Sequence, residues 1–401
     1  MGKNDLKIPY QLIGTAPDLE QAVNLLSREE IIAVDLEADS LFHYREKVCL
    51  IQIATEALNL AIDPLAVGDL SPLQPVMANP AIRKVFHGSD YDLRSLYRDF
   101  QIAVNNIFDT QLACRFLGLK ETGLEALLRT RFQVALNKKY QKQDWSARPL
   151  SPEMLEYGIL DVIYLIPLAR SLEKELSARN RLTWVEEEGK ILSRIRPGPP
   201  LDRGPLFLRF KGASGLDPRS LSILEALLQF RNAQAEKMDR PPFKVLGNEP
   251  ILELIRKKPQ NMPELRESKI LTARQIAIFG QPLLDRLREA ADSPAPGFPG
   301  YPQRARPKMA AAVRRRFKAL KAWKDARGDH LGMDPTLLLN SALIQWLAEK
   351  KPLSRQDLEA VPGLKTWQKE EFGEEILSLL AQPGKEMSPL LLTTTDKKEY
   401  K

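Results

Sequence analysis

Histidine and cysteine are scarce in this chain of 401 residues, with three of the first (His43, His87, His330) and two of the second (Cys49, Cys114). So few, so far apart, exclude a disulfide framework and a four-ligand Cys/His zinc site. Both cysteines lie in apolar runs, VCLIQI and QLACRFLG, where a buried reduced thiol is the ordinary state. A reducing, cytoplasmic setting is therefore expected. No stretch of about eighteen uninterrupted apolar residues occurs, and the opening MGKNDLKIPYQL lacks the apolar core of a signal peptide, so no membrane association is expected. With thiol and imidazole ligands excluded, a metal here must be held mainly by carboxylates, which selects hard cations such as Mg²⁺ or Mn²⁺.

What is plentiful is proline and basic charge. The length favours two or three domains. Two proline-rich stretches, RPGPPLDRGP at 196–205 and SPAPGFPGYPQRARP at 293–307, can continue neither a helix nor a central strand. They divide the chain into 1–195, 206–292 and 308–382, with a polar tail over 383–401 that is expected to be disordered. In the first part the runs IIAVDLE, VCLIQIA, LNLAID and RKVF read as strands, and segments near 91–99, 110–118, 123–131 and 152–178 read as helices, giving an α/β domain. Parts two and three carry apolar residues on one helical face, Leu221, Leu224 and Leu228 in one and Val313, Phe317, Leu320 and Trp323 in the other. Both read as small all-helical domains.

Those two parts repeat one another. Phe230 and Trp323, Pro259 and Pro352, Leu265 and Leu358, and Gly280 and Gly373 are each 93 positions apart. An ordered set at one offset points to duplication. Asn248 and Asn340 fall one residue out, which implies a compensated indel. The formal charge of +7 favours a polyanionic partner, and it is concentrated: residues 301–327 hold ten Lys and Arg against one acidic residue, running from Arg304 through Arg314, Arg315 and Arg316. Contact with phosphates by that run, including Arg314, Arg315 and Arg316, is expected.

The chemistry is carried by acids. Asp35 and Glu37 stand two apart on an apolar strand, so both point to one face. Alone, such a pair is as well read as a polar strand end. In VFHGSDYD a strand gives way to a helix; Asp90 and Asp92 compete there, and Ser89-x-x-Asp92 also fits a capping box. In EYGILD, Tyr157 and Asp161 lie four apart on one helical face. Two carboxylates about 4 Å apart repel by roughly 4 kcal/mol at an effective dielectric of 20, so converging four of them requires cations. Two cations about 3.5–4 Å apart can activate a water and stabilise the departing oxygen of a phosphodiester.

In order, DLE at 35–37, HGSDYD ending at Asp92 and YGILD at 157–161 resemble the motifs of the DEDD exonucleases of the ribonuclease H-like fold, and specifically the ribonuclease D family. DWSARPL at 144–150 resembles that family's segment between the last two motifs. Both helical repeats resemble HRDC domains, the helicase and ribonuclease D C-terminal module. The resemblance implies a ribonuclease H-like exonuclease domain followed by two HRDC domains. It implies that Asp35, Glu37, Asp92 and Asp161 bind two divalent cations, Mg²⁺ or Mn²⁺, and that Tyr157 positions water. The family spacing from a histidine selects Asp92 over Asp90. Glu156 stands where the histidine-type branch has its His, so the tyrosine-type branch fits. Tyr44 and His87 fall where relatives contact the substrate end.

The implied activity is 3′-to-5′ removal of nucleotides from RNA ends, such as those of precursor tRNA and other small structured RNA, releasing nucleoside 5′-monophosphates from a monomeric enzyme. A 3′-to-5′ DNA exonuclease and an inert nucleic-acid adaptor are the competing readings. A helicase is excluded, because no G-x-x-x-x-G-K-[ST] phosphate loop is present.

Overall fold

A computed structural model describes residues 8–136, 139–198, 204–292, 301 and 309–382. Arg304, residues 199–203 of the first proline stretch, nearly all of the second and the 383–401 tail lie outside the described residues. Six strands, β1 (Gln11–Ile13), β2 (Ile31–Ala38), β3 (Val48–Ala54), β4 (Asn59–Ile62), β5 (Arg83–Phe86) and β6 (Ile107–Asp109), form one sheet in the order β1-β4-β3-β2-β5-β6. β3 runs antiparallel to both its neighbours, and the remaining pairings are parallel. β2 is central and its side chains alternate between two cores. Ile32, Val34 and Leu36 pack with the helices Ala16–Leu26 and Asp90–Phe100, while Ala33 faces Thr110–Leu117, Leu165–Ala178 and Leu182–Leu192. This is the expected α/β layering.

The four expected strand runs are β2 to β5. β1 and β6 were not foreseeable as strands, since three residues are too few to display alternation; they exist because parallel partners place them at the sheet edges. The helix expected over 152–178 is two helices, Pro152–Ile163 and Leu165–Ala178, separated at Tyr164. Pro167 explains the break: it donates no hydrogen bond to the carbonyl four residues back and its ring would clash with it.

The helical repeats superimpose in register. Asn248–Lys257 and Ser341–Lys350 are 93 apart at both ends, and each stops at a lysine in the left-handed region, Lys258 (φ 48°) and Lys351 (φ 50°). The expected indel is corrected here. Gly247, not Asn248, occupies the N-cap position equivalent to Asn340, so the offset is unbroken. Asn340 caps Leu343 N–H, whereas Asn248 accepts from Arg231 instead.

The second repeat is continuous with the α/β core. Trp367 stacks on Trp184 with ring centroids 4.7 Å apart and meets Phe116 edge-on at 5.5 Å. The Glu187 carboxylate accepts from Thr366 N–H (2.7 Å) and Trp367 N–H (2.9 Å), capping the Thr366–Ala381 helix from the neighbouring domain. Arg181 ties the two carbonyls Phe116 O and Leu331 O together at 2.7 Å each. Gly118 (φ +74°) approaches so closely that an added Cβ would lie 1.5 Å from the Gly332 carbonyl oxygen. In the first repeat Arg274 stands at the position of Trp367, 93 residues earlier. That repeat contacts the α/β domain elsewhere and through polar groups.

Trp367→Ala should lower the unfolding free energy by about 3–5 kcal/mol, as for other buried tryptophans. Urea unfolding followed by Trp fluorescence reads it; a loss under about 1 kcal/mol would leave the polar rim, not the aromatic stack, holding the second repeat.

Candidate active site

β2 delivers Asp35 and Glu37 to the face that also carries Ala33, and the helix Pro152–Ile163 crosses that face. Gly158 makes the crossing possible, since an added Cβ would lie 2.4 Å from Gln52 Nε2 on β3. Gln52 is the direct cross-strand neighbour of Asp35. The helix can thus sit low enough for Asp161 to reach the strand acids, and carboxylate oxygens of Asp35, Glu37 and Asp161 lie within 4.8 Å of one another.

Asp92 lies outside that mutual 4.8 Å group, but beside it. It is buried at the start of the Asp90–Phe100 helix, and its charge acts on both Asp35 and Glu37. Asp90 is exposed and paired with Arg94 at 2.8 Å, so the structure separates the two aspartates that compete in sequence. The capping box is not formed. Ser89 makes no cap bond; its hydroxyl donates to Asp109 Oδ2 at 2.9 Å.

Asp109, which the sequence reading passed over, holds this turn. Its carboxylate accepts from Gly88 N–H (3.0 Å), Ser89 N–H (2.8 Å) and Ser89 Oγ, and also caps Gln111 and Leu112. The detectable signal was its N-cap position ahead of Thr110–Leu117. Gly88 takes φ +79°, which only glycine adopts freely, and so turns the chain between β5 and Asp92. Thr110 Oγ1 donates to Phe86 O and accepts from His87 Nδ1, leaving Nε2 of His87 buried without a partner. Burial holds the His87 imidazole below its ordinary range.

Tyr157 shares a hydrogen bond with the Asp161 carboxylate. Its ring lies between Trp145 and Tyr140, each with its centroid 6.2 Å away. Trp145 is fixed in turn by Arg148, which donates to Asp63 (2.7 Å), Cys49 O (2.8 Å) and Trp145 O (2.7 Å). The segment 144–150 therefore backs the tyrosine, a role its motif did not disclose.

The electrostatics are those of crowded acids. Burial pushes Asp35 up to about 7. Burial, then the charges of Asp35, Asp161 and Asp92, drives Glu37 well above the carboxylate range. Asp92 and Asp161 rise for the same reasons, burial first and Asp35 second. Burial and the neighbouring carboxylates also raise Tyr157, which keeps its phenolic proton. Oxygen donors so arranged fit hard divalent cations, which remove the repulsion.

A cleft of about 660 Å³ opens from this cluster, lined by Asp35, His87, Tyr157 and Asp161 and extended by Gln111, Leu124 and Arg129. His87 is thus at the site. Tyr44 is not among the lining residues; its ring packs on the core of the first helical repeat. Arg314 and Arg315 are exposed on the second repeat, and Arg316 is engaged by Ala348 O at 2.7 Å.

A mixed sheet with half-buried acids on β2 and buried acids on two helices is compatible with the divalent-metal-dependent 3′–5′ exonuclease class. The 3′-5′ exonuclease family matches residues 10–177, and the HRDC domain family matches 220–287 and 313–380. Ribonuclease D of Haemophilus influenzae is 30% identical over 283 residues, covering 70% of this chain and 71% of that protein. RRP6-like 3 of Arabidopsis thaliana is 42% identical over 168 residues, 42% of this chain but 19% of that much longer protein. The crystal structure of Escherichia coli RNase D, an exoribonuclease involved in structured RNA processing, covers 93% of this chain and 99% of its own, with a TM-score of 0.66 and 25% identity. The chain belongs to the ribonuclease D family, and its activity is that of a 3′–5′ exoribonuclease.

The raised carboxylates set a pH dependence for the chelated protein. Asp35, pushed up to about 7 when folded, titrates near about 3.9 when unfolded, so between those values the folded chain binds the extra proton. Stability should fall as pH rises through that window. Melting temperatures in chelator should decline from about pH 5 to about pH 7, and added Mg²⁺ should restore them. Asp35→Asn should flatten the decline. A melting temperature that rises through the same window in chelator and ignores Asp35→Asn would remove carboxylate repulsion as a cause.

Proposed function

We propose that this exoribonuclease trims the 3′ ends of small structured RNA, precursor tRNA among them, as a cytoplasmic monomer, with Asp35, Glu37, Asp92 and Asp161 holding two divalent cations, Mg²⁺ or Mn²⁺. The observation that carries the site assignment is that oxygens of Asp35, Glu37 and Asp161 lie within 4.8 Å of one another, with Asp35 and Asp161 lining one cleft and the buried Asp92 near enough for its charge to act on Glu37. Bound there, the cations would supply an activated water and charge stabilisation for the departing oxygen. Tyr157, keeping its proton and hydrogen-bonded to Asp161, orients the water against the phosphorus. The water oxygen bonds to phosphorus, the P–O3′ bond breaks, and the terminal residue leaves as a nucleoside 5′-monophosphate. The shortened chain keeps a 3′-hydroxyl. His87 contributes an unprotonated Nε2 to the cleft wall, where a terminal hydroxyl can donate to it.

The RNA preference rests on the family, and the tRNA substrate on the sequence resemblance alone, not on any base-reading group in the cleft. The test is a time course on end-labelled RNA and DNA of matched sequence, with and without chelator. Stepwise shortening of the RNA from its 3′ end, stopped by chelator and by Asp35→Asn in a protein that still unfolds cooperatively, is expected. Near-normal turnover by Asp35→Asn would refute the cation assignment, and equal rates on DNA would refute the sugar preference.

The exposed Arg314 and Arg315 are proposed to contact the RNA body, whereas Arg316, committed to the end of the Ser341–Lys350 helix, serves the fold. If about five phosphates are contacted, the salt slope is about −3.5 on single strands. Arg314→Ala with Arg315→Ala should flatten it by about 1.4. An unchanged slope from binding titrations in Ca²⁺ would place the phosphate contacts elsewhere.

A further inference from the structure

Both helical repeats touch the α/β domain with the same turn, the one that follows their first long helix. In the second repeat this turn is Gly332 (φ +58°), seated against Gly118 in the continuous core. In the first repeat the position 93 residues earlier is Asp239 (φ +45°), and it meets the loop that leaves β2 just beyond Asp35 and Glu37. Asp239 accepts from Tyr44 N–H at 3.1 Å and from His43 Nδ1 at 2.7 Å. Arg45 pairs with Glu236 at 2.8 Å, and Lys244 lies 4.3 Å over the Phe42 ring. These contacts are polar or charged, and beside them the Tyr44 ring packs on the repeat's apolar core.

His43 is the member of the joint whose geometry demands a charge. Its Nδ1 faces the Asp239 carboxylate, which only accepts, so Nδ1 carries a proton. Its Nε2 lies 2.8 Å from Ser146 Oγ, and that hydroxyl spends its own proton on Asp144 Oδ1. Nε2 must then carry a proton as well. A third carboxylate, the buried Asp39, sits 4.0 Å from Nε2 with Oδ2 otherwise unbonded, and Lys47 is 3.9 Å from it. Three acids, from the loop itself, from the segment that backs Tyr157 and from the first repeat, thus surround one imidazole ring. Lys47 lies as near Asp39 as the ring does, while Arg45 is paired with Glu236 and Lys244 with the Phe42 ring.

We infer that His43, as an imidazolium, is a positioning residue that locks the first HRDC domain to the catalytic loop, and that its deprotonation releases that domain. Neutral His43 must leave one acceptor unserved and set a ring lone pair against a carboxylate or a hydroxyl oxygen. Deprotonation removes the ring's charge and one of its two donors together, so the joint responds to pH. Asp239 does not limit it from below, because the hydrogen bond from His43 and then that from Tyr44 hold its carboxyl beneath the usual range. The second repeat is held instead by stacked tryptophans. Through Ser146 and Trp145 the same ring abuts the wall behind Tyr157, so release of the domain also loosens that wall.

The test is a distance measurement on the full chain that does not depend on turnover. Spin labels at Glu20→Cys and Glu267→Cys, both exposed, report the first repeat against the α/β domain, while Cys49 and Cys114 are buried and stay unlabelled. At about pH 5.5 a single narrow distance distribution is expected, and at about pH 8.5 a second, longer population. Its weight should grow roughly threefold to tenfold, the range for a half-exposed charged hydrogen bond. His43→Gln, with one donor group and no charge, should show the longer population at both pH values. A wild-type distribution that does not move with pH overturns the proposal, and so does a His43→Gln protein that stays closed or follows the wild type.

Discussion

Like charges held together out of water are unstable unless something opposes them, and the α/β domain is organised around one such knot. Asp35 sits at its centre, since its charge is felt by Glu37, Asp92 and Asp161 alike. The elements that deliver these groups are held by contacts that do not involve the knot. Asp109 fixes the turn before Asp92, Gly158 lets the Pro152–Ile163 helix lie close to β3, and Arg148 pins the segment behind Tyr157. Cations are then required for function but not to assemble the scaffold, which is the arrangement that preorganised electrostatics demands.

The two repeats show how one module can be joined to a neighbour in two physical regimes. Aromatic stacking and a glycine-to-glycine approach make the second repeat part of the α/β core, with Glu187 and Arg181 satisfying backbone groups across the seam. The first repeat substitutes Arg274 for Trp367 and Asp239 for Gly332, and with them exchanges buried area for charge. Polar joints of that kind are weaker and respond to conditions. An exoribonuclease that must admit RNA and then grip it gains from having one fixed and one adjustable arm.

The sequence disclosed this architecture unevenly, for reasons particular residues make clear. β2 to β5 were legible as β-branched runs, and side-chain periodicity put Asp35 with Glu37, and Tyr157 with Asp161, on one face each, while their joint role came from the family resemblance. Asp90 and Asp92 were indistinguishable without the family spacing, since burial and the Arg94 pair appear only in three dimensions. Ser89 fitted a local capping rule that a distant partner, Asp109, overrode. Tyr44 was assigned to substrate by analogy and instead meets the first repeat. Asn248 suggested an indel because identity was compared rather than cap geometry, where Gly247 serves as well as asparagine. The parts that escaped are all long-range partnerships, which local pattern does not encode.

The near-contact between Gly118 and Gly332 has a consequence for handling the protein. Cutting the chain after the exonuclease domain would uncover Phe116 and Trp184 as a greasy scar, an adhesive patch that invites self-association. Activity missing from such a fragment would then report precipitation, not the loss of an RNA grip.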